Sequence, residues 1–262
     1  MFNAYSFSFA GESSEEHGVM LYDFGGSGQS DVAFGNKASI VEARTTNRIQ
    51  PIHLGVNYHE SPLEFKLVFG ADRPLDRYEL QDISLWLTGY QTYQWLTIDQ
   101  PDLLNVEFRC LITTLTPLSH GWLPVAFEAT VQCDCPYAYG LPFSETYDIS
   151  GQTDVLFRNE STTRAYFKPD LSFTTDSGVT EVGIVNHSDG DREFKITGLP
   201  SGGLTFSVDG TSGIIRDESG SLNLYPGFNL NFLRLVHGDN RLTVSGDGEL
   251  TISGRFLYNV AG

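Results

Sequence analysis

The stretch from Phe232 to Tyr258, FLRLVHGDNRLTVSGDGELTISGRFLY, decides the fold. Leu242 and Val244 alternate with Thr243 and Ser245, and Leu250 and Ile252 alternate with Thr251 and Ser253. A period of two marks a strand with one buried face. Asp247-Gly248 between the two runs tolerates the backbone angles of a tight hairpin, and His237-Gly238-Asp239-Asn240 serves the reversal before it. The stretch is therefore predicted as strand, tight turn, strand, tight turn, strand. None of its residues suggests catalysis, so a domain that closes this way is expected to present a surface rather than perform a reaction.

Upstream the same pattern recurs. Asp154–Arg158, Tyr166–Thr174, Val179–Asn186, Arg192–Thr197, Leu204–Asp209, Gly213–Arg216 and Ser221–Leu224 read as short strands, split by turns such as Ser201-Gly202-Gly203 and Asp209-Gly210. So many short antiparallel strands predict a sandwich or jelly roll. The segment Pro136-Tyr137-Ala138-Tyr139-Gly140-Leu141-Pro142 breaks the ladder with proline at both ends. The domain boundary is placed there, giving residues 1–142 and 143–262.

The first part is also mainly β. Strands are predicted at Tyr5–Phe9, Val19–Phe24, Ser39–Thr45, Ile52–Tyr58, Leu63–Phe69, Trp95–Ile98, Val106–Thr113 and Val125–Cys135, with a loop over Thr116–Pro124. No helical pattern separates them, which favours antiparallel pairing. One helix interrupts, over Asp76–Thr88: Leu80, Ile83, Leu87 and Tyr90 form an apolar stripe. Asp76 or Asp82 suits its N-terminal half and Gly89 its end. Trp86 is placed on its core face, with a protein contact as the alternative.

Composition narrows the function. The 262 residues are 40% hydrophobic and 13% aromatic, enough for two cores, and the 27 glycines suit many turns. The net charge is −17, with 17 acids against 7 bases up to Pro142 and 16 against 9 after it. No cluster of Lys and Arg offers phosphate contacts, which argues against a nucleic-acid binder. The same balance suits a surface that DNA must pass without sticking. The N-terminus lacks a cationic start and a long apolar stretch, and no run reaches membrane-spanning length, so folding in a cytoplasm is expected.

Local motifs assign no catalytic, cofactor-binding or metal-ligating residue. Cys133 and Cys135 share the apolar parity of their strand, about 7 Å apart by strand rise, and Cys110 shares that of Val106 and Phe108; all three are expected as reduced core thiols. The six histidines, His17, His53, His59, His120, His187 and His237, lack a second His at ligand spacing. They are read as solvated or locally bonded. Gly25-Gly26-Ser27-Gly28 is a flexible loop without the Lys of a phosphate cradle, and Asp23-Phe24-Gly25 shares only letters with a kinase motif. Ser188-Asp189-Gly190-Asp191 is an acidic turn, short of a full calcium loop. Asn159-Glu160-Ser161 and Asn186-His187-Ser188 match glycosylation acceptors but carry no weight without a secretory leader. No hydrolase elbow is present.

The order of these parts resembles the distal tail proteins of long-tailed siphophages. The resemblance is carried by Phe7-Ser8-Phe9-Ala10-Gly11-Glu12-Ser13-Ser14, by the Pro62–Phe69 strand and by the helix ending near Trp86-Leu87. Val125–Tyr139 with its Cys-Pro-Tyr-Ala-Tyr finish and Asn240–Gly246 complete it. It spans nearly the whole chain. It implies an N-terminal β-sandwich-like domain with one α-helix that forms a homo-hexameric ring, and a C-terminal galectin-like β-sandwich pointing outward. The ring would join the tail tube protein to the tail-associated hub protein and carry a receptor-binding protein. DNA would pass the lumen without specific binding. The protein would then be a virion component at the tail tip, not an enzyme, with no cofactor and no membrane partner. The alternative reading is a carbohydrate-binding module for host cell-wall attachment. Against it, Trp86, Trp95 and Trp122 all lie in the first domain, and no His/Asn/Arg constellation is visible beside Tyr166, Tyr225 or Tyr258.

Overall fold

The structure, a computed structural model, describes residues 5–24, 38–46, 48–58, 62–101, 103–120, 122–163 and 165–260. The chain divides into two compact units: Met1–Gly140 with Tyr258–Gly262, and Leu141–Leu257. Its described residues are mainly strand with one α-helix, as the alternation predicts.

The first unit holds β1 (Phe7–Phe9), β2 (Glu12–Ser13), β3 (Met20–Phe24), β4 (Ala38–Ala43), β5 (Ile52–Tyr58), β6 (Glu64–Gly70), helix α1 (Arg77–Thr88), β7 (Gln94–Ile98), β8 (Val106–His120), β9 (Leu123–Cys133) and β10 (Ala138–Gly140). Seven of these strands form an antiparallel sheet in the order β2-β1-β7-β8-β9-β6-β3, and β10 joins β8. On β6 the alternation is realised: Phe65, Leu67 and Phe69 are buried, while Glu64 and Lys66 are exposed. They pack with Phe7, Phe9, Leu96 and Phe108 into one core, closed by Ile83, Trp86 and Leu87 of α1.

The helix begins where chemistry permits. Asp76 accepts from Tyr78 N at 2.8 Å and Glu79 N at 2.9 Å, and Glu79 accepts from Asp76 N at 2.9 Å. This reciprocal cap satisfies amides that the first turn leaves without partners. Gly89 ends the helix with φ −76°, right-handed rather than left-handed, and its amide reaches Leu85 O at 3.0 Å. A Cβ there would lie 2.5 Å from that same carbonyl.

Two readings of this unit are corrected. Thr116–His120 is strand, not loop: the β8–β9 ladder runs on through Pro117↔Phe127 to His120↔Leu123. Side chains from Thr116 to His120 are exposed, so both faces are wet and the apolar alternation disappears although the pairing continues. Pro117 is tolerated because, among the described residues, β7 pairs no further along β8 than Cys110, leaving an edge there. The second correction concerns the thiols. β9 ends at Cys133, and Cys135 lies half-buried beyond it, its Sγ donating to Tyr137 O at 3.2 Å. Cys110 and Cys133 are the buried pair, directly opposite each other across β8 and β9. Gly25–Gly28 and His59 lie outside the described residues.

The second unit is a sandwich of two antiparallel sheets. Its strands are β11 (Phe143–Ile149), β12 (Gln152–Asn159), β13 (Asp170–Thr175), β14 (Glu181–Asn186), β15 (Arg192–Thr197), β16 (Leu204–Asp209), β17 (Ile214–Asp217), β18 (Gly238–Ser245) and β19 (Gly248–Gly254), before a final β20 (Leu257–Tyr258). One sheet runs β11-β19-β13-β16-β17, the other β12-β18-β14-β15. Phe157, Ile184, Phe194 and Val244 from one face Phe173, Phe206, Leu250 and Ile252 from the other in a single core.

The closing stretch is not a meander. Leu242, Val244, Leu250 and Ile252 are all buried as expected, but β18 and β19 belong to opposite sheets and do not pair. The turn between them crosses the sandwich, with Gly246 at φ 123° and Gly248 at φ 136°. Phe232–Val236 forms no strand beyond a single bridge from Leu235 to Phe167. Buried asparagines take up its backbone instead. Asn159 Nδ2 donates to Val236 O at 3.1 Å, Asn186 Nδ2 to Arg234 O at 2.9 Å, and Asn240 Nδ2 to Val236 O at 2.9 Å. Ser221–Leu224, read as a strand, is likewise irregular, because the Asp217 carboxylate accepts from Ser221 N and Leu222 N in place of a neighbouring strand.

Candidate assembly surface

Several acidic and histidine side chains are engaged locally. Among the described residues no three His, Cys, Asp or Glu groups converge as a metal site. His17 stacks on Trp86, centroids 4.0 Å apart, with Nε2 2.9 Å from Glu12. His237 Nδ1 lies 2.7 Å from Ser161 O. In the acidic turn, Asp189 accepts from Arg234 at 2.6 and 3.1 Å. Asn159 and Asn186 of the glycosylation-like triplets are buried, which places their amides out of reach of any modifying enzyme.

The displaced ionisations are structural as well. Hydrogen bonding to Arg73 and to the Asp76 amide lowers the Glu79 carboxyl from 4.5 to about 2. A hydrogen bond to Cys110, together with burial, pushes the Cys133 thiol well up. Glu79 is held by Arg73 and the helix cap, and Cys133 is buried against Cys110, so both shifts follow from capping and packing.

The first unit instead displays two hairpins with exposed apolar side chains. Among the described residues β4 pairs only with β5. On it Ile40 is 67% exposed, and Leu54 is 63% exposed on β5 at the bulge where Val41↔Gly55 gives way to Glu42↔His53. Ile49, between the strands, is fully exposed. A two-stranded hairpin on its own is marginal in water. The far end of the β8–β9 hairpin carries Leu118, Leu123 and Trp122, the last 98% exposed. Trp86 is thus the core tryptophan, and Trp122 the one left bare. Period-two counting on β4 and β5 gave no warning of this, because a pattern of alternating residues does not say whether anything covers its apolar side. The useful signal was bulky apolar residues placed at the hairpin ends, Ile49 and Trp122.

Known proteins show similarity over both units. Residues 2–135 match a family described as phage tail protein N-terminal domain, and residues 137–254 one described as phage tail C-terminal domain. Among solved structures, the crystal structure of SPP1 Dit, a paradigm of hub adsorption apparatus in phages infecting Gram-positive bacteria, is similar over 97% of this chain and 100% of that one. The TM-score is 0.72 at 12% sequence identity, a likeness of fold. No curated protein sequence matches the chain.

Proposed function

We propose a tail-tip role on the premise that this chain belongs to the phage tail protein family, whose N-terminal domain alone takes in residues 2–135. The reading is a distal tail protein: a structural component without catalysis whose first unit builds a hexameric ring and whose second, galectin-like unit faces outward. The observation that carries it is the pair of bare apolar hairpins on the first unit, β4–β5 and β8–β9. A closed ring of identical subunits needs two different complementary patches on each copy, one for each neighbour. Burying Ile40, Leu54 and Trp122 there would remove apolar surface that a monomer leaves in water.

In this reading the ring joins the tail tube protein to the tail-associated hub protein, and the outward unit supports a receptor-binding protein. The net charge of −17 suits a lumen through which DNA moves without adhering. Negative-stain electron microscopy of the purified chain tests the proposal. Six-fold rings with peripheral lobes are expected; isolated two-lobed particles at high concentration would contradict it.

A further inference from the structure

Two thiols face each other at the base of the long β8–β9 hairpin. Cys110 of β8 stands directly opposite Cys133, the last residue of β9. The backbone bonds beside them fix the kind of rung they occupy. Asp134 N donates to Arg109 O at 3.0 Å, so the next rung is a hydrogen-bonded one, while Cys133 N turns the other way, to Leu63 O at 2.8 Å. Cys110 and Cys133 therefore form a non-hydrogen-bonded rung, where facing Cα atoms come within about 4.5 Å and side chains are at their closest. That separation lies inside the range a disulfide spans, about 4.4–6.8 Å between Cα atoms. Both side chains enter the same core, and the thiols hydrogen-bond to each other.

The third cysteine stands outside this arrangement. Cys135 follows the end of β9, and its Sγ donates to Tyr137 O at 3.2 Å. Sequence spacing sets Cys133 beside Cys135, but the ladder sets it against the preceding strand. Thiols stay reduced in a cytoplasm and oxidise outside it. We propose that Cys110 and Cys133 form a cross-strand disulfide once the protein leaves a reducing cytoplasm, stapling the base of the hairpin whose far end carries Trp122. The change of compartment rests on the tail-tip reading; the capacity of the two thiols to bond does not.

The oxidant is a small-molecule disulfide, R–S–S–R, of the glutathione class. The Cys133 thiolate attacks one of its sulfurs and one R–S⁻ leaves. The Cys110 thiolate then attacks the Cys133 sulfur of the mixed disulfide and the second R–S⁻ leaves. The reagent's S–S bond breaks and the Cys110–Cys133 bond forms. The two cysteines lose two electrons and two protons, and two R–SH result. Both thiols are buried, so the exchange waits on opening of the strand end at Cys133 and is slow in the intact fold. Once formed, the bond closes residues 111–132 into a loop and removes that freedom from the unfolded chain.

Oxidised glutathione is the probe. The full chain is exposed to it in two arms, as the native protein and during refolding from urea, then denatured, labelled with N-ethylmaleimide and weighed. A glutathione adduct counts, like a label, as an unbridged thiol. The reduced chain should show three unbridged thiols and the oxidised chain one, with Cys110 and Cys133 linked in a non-reducing digest. A Cys135→Ser chain should go from two to none. The oxidised chain should melt about 5 °C or more above the reduced one, and reduction should reverse the shift. Three unbridged thiols in both arms, or a link that includes Cys135, would overturn the bond. An unchanged melt after complete oxidation would overturn the staple. A disulfide that forms in a chain that builds no ring would support this proposal and count against the tail-tip reading alone.

Discussion

Asn240 shows how a single side chain substitutes for a strand. It is fully buried, and its carboxamide makes four bonds: it accepts from Val236 N at 2.8 Å and Asn186 Nδ2 at 3.0 Å, and donates to Val236 O at 2.9 Å and Gly238 O at 3.0 Å. Removing it strands buried donors and acceptors, each costly without a partner. Asn240→Ala is therefore expected to destabilise the second unit by about 2–4 kcal/mol in chemical denaturation. Glu79 gives a prediction in pH. Its carboxyl is lowered from 4.5 to about 2, first by its hydrogen bond to Arg73, so the folded state favours the ionised form. The stability it adds is complete above its unfolded value of 4.5 and is lost as pH falls toward 2. The melting-temperature gap between the native chain and Glu79→Gln should be widest near neutral pH and should close across that window.

At the level of elements, the helix and the strand faces were legible in the sequence and the partners of the strands were not. Asp76, one of the two aspartates the sequence offered, and Gly89 mark the ends of α1, because capping chemistry is local; Glu79, three residues on, completes the N-terminal cap in the structure. Leu242, Val244, Leu250 and Ile252 likewise announce two half-buried strands. Glycine between two such strands, however, serves equally for a hairpin within one sheet and for a crossing between two. The crossing has its own cost structure. At Gly248, with φ 136°, a Cβ would come within 2.1 Å of Thr174 O, whereas at Gly220, with φ 66°, it would meet nothing within 4 Å. Gly248→Ala should thus cost about 3 kcal/mol or more, and Gly220→Ala about 1 kcal/mol, from the positive φ alone. The far end of β8–β9 was missed for the opposite reason: Thr116–His120 bury nothing, and an element without a buried face leaves no periodic trace.

Across the whole molecule the account is one of surfaces. The second unit fills a sandwich core and needs no partner to do so. The first unit also fills a core, yet leaves Ile40, Ile49, Leu54 and Trp122 in water on its hairpins. Exposed apolar groups on hairpins outside the core should contribute little to the stability of the monomer and much to association. Replacing Ile40 and Leu54 with serine is accordingly expected to leave the thermal melt of the dilute chain within about 0.5 kcal/mol of the parent while abolishing assembly. The most direct test of the central claim is the mass of the assembled protein by native mass spectrometry. With 29.0 kDa per copy, six copies give 174 kDa, and the account predicts that species for the parent chain and its loss in the serine variant. A parent chain that stays at 29.0 kDa at high concentration would contradict it.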